Sequence, residues 1–138
     1  MTASGLIGIA FEEYCLEVNP QTTPHHFSSS TELIHRTMYR LTQEYSDLLY
    51  PLKDLHFAVM GAYPYSSDLY TVLWILTCSH MLVNVWTTNG KSWMERSICP
   101  DSQKFLTEWK EKAFEDDSIG LKHFKNFAKD LGDALLLN

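Results

Sequence analysis

The chain is short of cysteine and carries no pattern that would pair its cysteines. Its 138 residues include three of them, Cys15, Cys78 and Cys99, with no Cys-x-x-Cys spacing. An odd number of scattered cysteines is typical of buried free thiols in a reducing compartment rather than of a disulfide framework. No basic segment precedes an apolar one near the N-terminus, so no signal peptide is predicted. We therefore expect a cytoplasmic protein.

Basic residues are also scarce. The chain has 11 Lys and Arg against 17 Asp and Glu, which gives a formal net charge of −6. Because nucleic-acid binding depends on a clustered Lys/Arg surface, the composition argues against a nucleic acid as partner. It favours instead another protein with a basic surface, which acidic residues would attract. The only acidic run is Glu115-Asp116-Asp117, and these three residues are candidates for such a contact.

The motifs that usually identify an enzyme or a metal site are absent. There is no Walker loop, Rossmann glycine pattern, Gly-x-Ser-x-Gly or His-Glu-x-x-His. Glu32 and His35 have the Glu-x-x-His spacing of di-iron helices, but no second copy exists. His25 and His26 have no cysteine or carboxylate at zinc-ligand spacing. The sequence predicts no metal and no cofactor, and it identifies no catalytic residues.

One long stretch lacks charge. Between Leu55 and Gly90 the only formal charge is Asp68, although a fifth of all residues are charged. The middle of this stretch, 69–78, is rich in β-branched and aromatic residues, which favour strands. The pair Asn89-Gly90 is typical of a two-residue hairpin loop. The stretch therefore predicts the core of an antiparallel sheet.

The predicted fold is α+β, with a small antiparallel β-meander over about 69–98 flanked by N-terminal and C-terminal helices. Its three strands cover 69–78, 81–88 and 91–98, and the chain forms a single domain, 1–138. Apolar residues at helical spacing predict three further helices, at 30–49, from Pro100 and after Asp117. The segments 5–18 and 51–60 fit either a helix or a strand.

An all-α fold with one buried helix over 69–88 is the alternative. The same 20 residues are long enough to cross a membrane. However, His80 and Asn84 would lie toward the centre of the span and no Lys or Arg precedes it closely. We therefore expect no membrane contact.

Aromatic residues supply the candidate binding surface. A two-residue loop pairs Trp86 with Trp93 across the hairpin and places Glu95 on the same face, unless the last helix covers both rings. Tyr63 and Tyr65 form a second aromatic patch in a loop. Because Trp and Tyr often carry much of the energy of protein–protein binding, we predict a non-catalytic protein-binding domain, either an inhibitor of the immunity type or a chaperone. The alternative is a small enzyme whose His, Cys and carboxylate groups meet only in space.

Overall fold

Helix α1, Ala3–Glu13, lies at the centre of the computed structural model, which describes residues 1–97 and 100–137. All its residues except Ser4 are buried. The side chain of Thr2 caps it by accepting a hydrogen bond from the N–H of Gly5 at 3.0 Å, and a π-helical turn, Tyr14–Val18, extends it. The helical alternative for 5–18 is therefore correct, because burial on all sides outweighs the low helix propensity of the glycines.

Helix α2, Thr31–Tyr45, packs an apolar stripe inward. Ser30 caps it by accepting from the N–H of Leu33 at 3.2 Å. The predicted helix over 30–49 is confirmed as far as Tyr45, after which a turn leads to a short 3₁₀ helix, Tyr50–Asp54. The buried residues of the stripe are Ile34, Met38, Leu41 and Tyr45.

Helix α3, Ser67–Cys78, lies where the first strand of the meander was predicted, so that prediction is wrong. The buried residues Leu69, Val72 and Leu76 follow helical spacing, and the Ser66 hydroxyl caps the helix by accepting from the N–H of Leu69 at 3.0 Å. The hydroxyl of Thr77 donates to the carbonyl of Leu73 at 2.9 Å. Packing and capping therefore override the strand propensity of this segment.

The end of α3 rules out the alternative of one helix over 69–88. His80 has a φ of 60°, and the N–H of Met81 bonds to the carbonyl of Leu76 at 2.9 Å while the N–H of His80 bonds to that of Thr77 at 3.1 Å. This pattern is a Schellman motif, which ends a helix and reverses the chain. Among the helices of residues 1–97 and 100–137, none has the length and apolar character needed to cross a membrane.

Strands β1, Leu82–Trp86, and β2, Ser92–Arg96, form an antiparallel hairpin. Val85 pairs with Trp93, and Thr87 donates its N–H to the carbonyl of Lys91 at 2.9 Å. The loop therefore has three residues, with Gly90 at a φ of 84°, a common three-residue arrangement. The predicted two-residue loop was wrong by one residue.

Two helices complete the α+β fold that the sequence predicted. They are α4, Pro100–Ala113, and α5, Ser118–Leu135, which Asp117 caps by accepting from the N–H of Gly120 at 2.9 Å. Phe27 forms isolated bridges to Met94 of β2 and to Leu136, which joins the hairpin to the C-terminal segment. Cys99 and the predicted end of the last strand, residue 98, lie outside the described residues.

Candidate functional site

A groove opens between the first turn of α2, the outer face of α3 and one face of the hairpin. It has a volume of about 250 Å³. We call it the aromatic groove, and its lining residues are Ser29, Thr31, Ile34, His35, Tyr70, Leu73, Trp74, Thr77, Asn84 and Met94. None of them is an Asp, Glu, Lys or Arg, so an occupant would meet apolar and hydrogen-bonding groups rather than charge.

Three large aromatic side chains are exposed around the aromatic groove. Tyr70 and Trp74 lie one turn apart on α3 and are 58% and 61% exposed. Trp86 is 76% exposed and shares its face of β1 with the groove residue Asn84, because alternate strand residues point the same way. Exposed aromatic surface next to a concavity is typical of an interaction site.

His35 forms a rigid part of the groove. It is buried, and its Nδ1 accepts a hydrogen bond from the N–H of Ser66 at 3.0 Å. Its ring stacks on Tyr65 with 4.4 Å between the ring centroids. Burial lowers the pKa of His35 below its ordinary value, so the ring is neutral at pH 7 and, with Nδ1 as acceptor, carries its proton on Nε2. His35 thus fixes the start of α3 without adding charge to the groove.

The predicted candidates Tyr63 and Tyr65 adjoin the groove through His35. Tyr65 is stacked on that ring, and Tyr63 lies 6.3 Å from it between centroids. Tyr65 also pairs with Ala58 through two main-chain hydrogen bonds of 2.7 and 2.9 Å. These bonds hold the loop that carries Tyr63 and Tyr65 in place beside α2.

Trp86 and Trp93 lie on opposite faces of the hairpin, so the predicted cross-strand pair is wrong. The shorter predicted loop put them opposite each other, whereas Trp86 pairs with Ser92. Trp93 instead stacks on His26 at 4.3 Å and donates its Nε1–H to Glu95 at 2.6 Å. Trp93 and Glu95 therefore form a second, partly buried surface, separate from the aromatic groove.

The acidic residues Glu115, Asp116 and Asp117 are exposed but lie far from the groove. Asp117 shares a surface pocket with Leu49, just beyond the C-terminal end of α2, whereas the groove includes the first turn of α2. A 15-residue helix is about 22 Å long. The structure therefore does not bring the acidic run to the aromatic groove.

A buried cluster of ion pairs was missed by the sequence analysis. Glu12 of α1 accepts from Arg96 of β2 at 3.1 Å, and Glu13 accepts from Lys110 of α4 at 2.7 Å. The two glutamates are 5% and 1% exposed, and the Oε1 atom of each has no partner among the described residues. Burial raises the pKa of Glu12 despite the attraction of Arg96. The cluster joins α1 to the hairpin and to α4.

The two described cysteines are free, but only one is buried. Burial raises the pKa of the Cys15 thiol to about 11, so it stays protonated at neutral pH. Cys78 is exposed at the end of α3, which corrects the expectation of a buried thiol there. No group of three or more His, Cys, Asp or Glu side chains in the described parts of the chain could hold a metal ion.

Tyr70 and Trp74 are the groove residues that sequence analysis missed. Their i,i+4 spacing, together with buried Leu69, Val72 and Leu76, was the available signal. It went unused because the segment was interpreted as a strand in the core of the sheet, where both side chains would be buried.

Comparison with known proteins finds no protein-family model, no curated protein and no solved structure that matches this chain.

Proposed function

We propose that the chain is a non-catalytic protein-binding domain that neutralises or escorts a partner, as an immunity-type inhibitor or a chaperone does. The observation that carries this proposal is the exposure of Tyr70, Trp74 and Trp86 around one uncharged groove. Leaving three large aromatic side chains in water is unfavourable, whereas burying them against a partner is a main source of binding energy. The aromatic groove is therefore the proposed centre of the interface.

The partner that fits the remaining surface has a basic patch. The net charge of −6 attracts such a protein over a distance and raises the association rate. Because the acidic run Glu115–Asp117 lies about a helix length from the groove, its contribution is to steering rather than to the close contact. Once the partner has docked, the aromatic side chains determine how long it stays.

A small enzyme is the alternative, and the buried cluster around Glu12 and Glu13, with Cys15 beside it, is one candidate place for its chemistry. Each carboxylate already accepts a hydrogen bond from a cation, and the cavity that both carboxylates line, of about 130 Å³, has little room for a substrate. A larger cavity of about 340 Å³ lies on the Cys15 and Arg96 side of the cluster. A nucleophilic cysteine acts as its thiolate, whereas the neighbouring Cys15 has a raised pKa. These properties favour a structural role for the cluster.

The experiment that tests the proposal is affinity capture from the native host with three proteins in parallel. The parent, Trp74→Ala and Tyr50→Ala are each used as bait, since Tyr50 is also an exposed aromatic (75%) but lies at the other end of α2. We expect a stoichiometric partner that the parent and Tyr50→Ala retain and that Trp74→Ala loses. Equal recovery with all three folded baits would contradict a binding site at the groove.

A further inference from the structure

The outer edge of β1 carries main-chain hydrogen-bonding groups that have no partner among the described residues. Met94 of β2 exchanges both of its main-chain hydrogen bonds with Phe27, at 2.7 and 2.8 Å. Since a strand residue directs its N–H and C=O to the same side, Asn84, which pairs with Met94, directs its own groups away from β2. The same holds for Trp86 two residues later. Within residues 1–97 and 100–137, no group bonds to these main-chain atoms.

This edge also lacks the features that normally protect a strand from pairing. Folded proteins block open edges with charged residues, proline, bulges or a covering segment. The sequence of β1, Leu82-Val-Asn-Val-Trp86, contains no charge, proline or glycine, and Val83 is 41% exposed. The far edge of β2, in contrast, is covered at Met94 by Phe27.

The open edge lies beside the aromatic groove. The side chain of Asn84 lines the groove, so a strand added next to β1 would direct every second side chain toward it. Tyr70 and Trp74 form the opposite wall. Because no described residue that lines the groove is an Asp, Glu, Lys or Arg, a charged side chain entering it would lose hydration without gaining an ionic partner there. Apolar or aromatic side chains at alternate positions fit it best.

We infer that β1 binds an extended, uncharged segment of a partner protein as an added strand, with alternate side chains of that segment in the aromatic groove. This inference rests on the proposed protein-binding function and specifies what part of the partner is recognised. In such strand addition, main-chain hydrogen bonds supply affinity and the side-chain positions supply specificity. Asn84 and Trp86 provide two donors and two acceptors for it.

A second copy of this chain is a less suitable occupant. A stable dimer buries about 800 Å² on each partner, and the edge of one five-residue strand supplies only a fraction of that. Two copies would also bring together net charges of −6 each. A short peptide segment needs only the edge and the neighbouring groove, and it carries no such repulsion.

The test uses random ten-residue peptides displayed on phage and selected on the parent protein. The strongest binders are synthesised and titrated against the parent, Asn84→Pro and Asn84→Ala. Asn84→Pro removes the outward N–H without removing a bond to β2, and proline is tolerated at strand edges. Asn84→Ala is the matched control, which loses the side chain but keeps the N–H. Since both variants lack the Asn84 side chain, their comparison isolates the N–H, and we expect about tenfold weaker binding to Asn84→Pro than to Asn84→Ala, the value of roughly one main-chain hydrogen bond.

Amide hydrogen exchange of the parent supplies a readout that does not depend on any variant. The amides of Asn84 and Trp86 should exchange rapidly in the free protein and slowly with a selected peptide bound. Unchanged exchange at both amides, equal affinity for the parent and Asn84→Pro, or a library without binders would each overturn strand addition. A parent dimer that Asn84→Pro dissociates would overturn it as well, in favour of a second copy.

Capture of the natural partner by the two variants distinguishes failure of this inference from failure of the proposed function. If Trp74→Ala abolishes capture of that partner while folded Asn84→Pro retains it at parental affinity, the groove binds the partner but strand addition is wrong. If neither variant affects capture, the proposed binding site itself is wrong.

Discussion

Glu12 shows at the scale of one residue how burial in α1 changes the chemistry of a side chain. Its carboxylate is 5% exposed and contacts Arg96, yet loss of hydration dominates and its pKa lies above the ordinary 4.5. The folded protein therefore binds the Glu12 proton more tightly than the unfolded chain does. The stability that this proton adds is complete below about pH 4.5 and is lost as the pH rises through the folded pKa.

The first prediction follows from this direction. Relative to Glu12→Gln, which cannot ionise, the parent should lose free energy of unfolding as the pH is raised above about 4.5. Urea unfolding of both proteins between about pH 4 and pH 8 gives their free energies of unfolding. Subtracting the two values at each pH isolates Glu12, because the other titrating groups are common to both proteins. Glu17→Gln, on an exposed side chain, is the control. A parent that gains free energy of unfolding relative to Glu12→Gln as the pH rises would show that the pKa of Glu12 is lowered instead.

Close packing against Tyr14 determines which residue can occupy position 132, where the chain has Gly132. A methyl group at its Cα would lie 2.1 Å from the ring of Tyr14, which is buried against α5 and donates its hydroxyl hydrogen to Asp133 at 2.8 Å. In an exposed helix, alanine is better than glycine by about 1 kcal/mol. Here the steric overlap reverses that preference.

We predict that Gly132→Ala lowers the free energy of unfolding by about 1–3 kcal/mol, because overpacking a core forces its neighbours to move. Asn126→Ala, on the exposed side of the same helix, should change it by less than about 0.5 kcal/mol. Urea denaturation measures both variants. A stabilised Gly132→Ala would mean that Tyr14 does not pack against this position.

At the scale of elements, the conformation of the hairpin loop depends on one residue, Gly90. Gly90 has a φ of 84°, and no described atom beyond its two chain neighbours lies within 4 Å of the place a Cβ would take, so it is the backbone angle that favours glycine there. Gly90→Val should therefore lower the free energy of unfolding by about 1–3 kcal/mol. Gly90→Asn, whose side chain tolerates this backbone region, should cost much less. Thermal unfolding distinguishes them, and equal melting temperatures for Val and Asn would contradict the positive φ.

The elements that the sequence predicted well are those in which the cap, the helical apolar stripe and the residue propensities all favour a helix. Helices α2 and α5 have Ser30 and Asp117 at their starts and buried residues at helical spacing, so local and tertiary preferences agree. In α3 they conflict, since Val72, Trp74 and Ile75 favour strands while Leu69, Val72 and Leu76 are spaced for a helix. The end of α3 was also hard to predict, because His80 takes the left-handed position that glycine usually occupies.

The hairpin shows a different limit of prediction. Asn89-Gly90 correctly indicated a turn between two strands, but the same pair fits a two-residue or a three-residue loop. A change of one residue in the loop length moves every side chain of one strand to the other face relative to the partner strand. The predicted proximity of Trp86 to Trp93 was therefore wrong, and the structure leaves Trp86 exposed, a point on which the sequence left both a core and a surface position open.

At the scale of the whole molecule, charge and aromatic surface are separated. The stretch 55–90 forms most of the aromatic surface, and its one charge, Asp68, accepts hydrogen bonds from the main chain and the ring of His56 at 2.9 and 3.0 Å. The acidic run Glu115–Asp117 lies beyond the other end of α2. Sequence order could not reveal this separation, because the distance between the two regions depends on how the helices pack.

This separation predicts different kinetic effects for the two regions. Replacing Glu115, Asp116 and Asp117 by Gln, Asn and Asn should slow association with the partner at low salt and leave dissociation unchanged, since surface charges act mainly on encounter. Asn at position 117 can still accept the capping bond from Gly120. The effect should shrink as salt screens the charges, and surface plasmon resonance at two ionic strengths measures it. An unchanged association rate at low salt would show that these residues do not steer the partner.

The most direct test of the binding site is the dissociation rate of the captured partner from Trp74→Ala and from Trp93→Ala. The two variants remove the same side chain from the aromatic groove and from the opposite face of the hairpin, and circular dichroism confirms that both are folded. We expect Trp74→Ala to lose about 2 kcal/mol of binding free energy, seen as roughly 30-fold faster dissociation, and Trp93→Ala to dissociate at nearly the parental rate. Faster dissociation from Trp93→Ala with a parental rate for Trp74→Ala would contradict binding at the aromatic groove and place the partner on the other face.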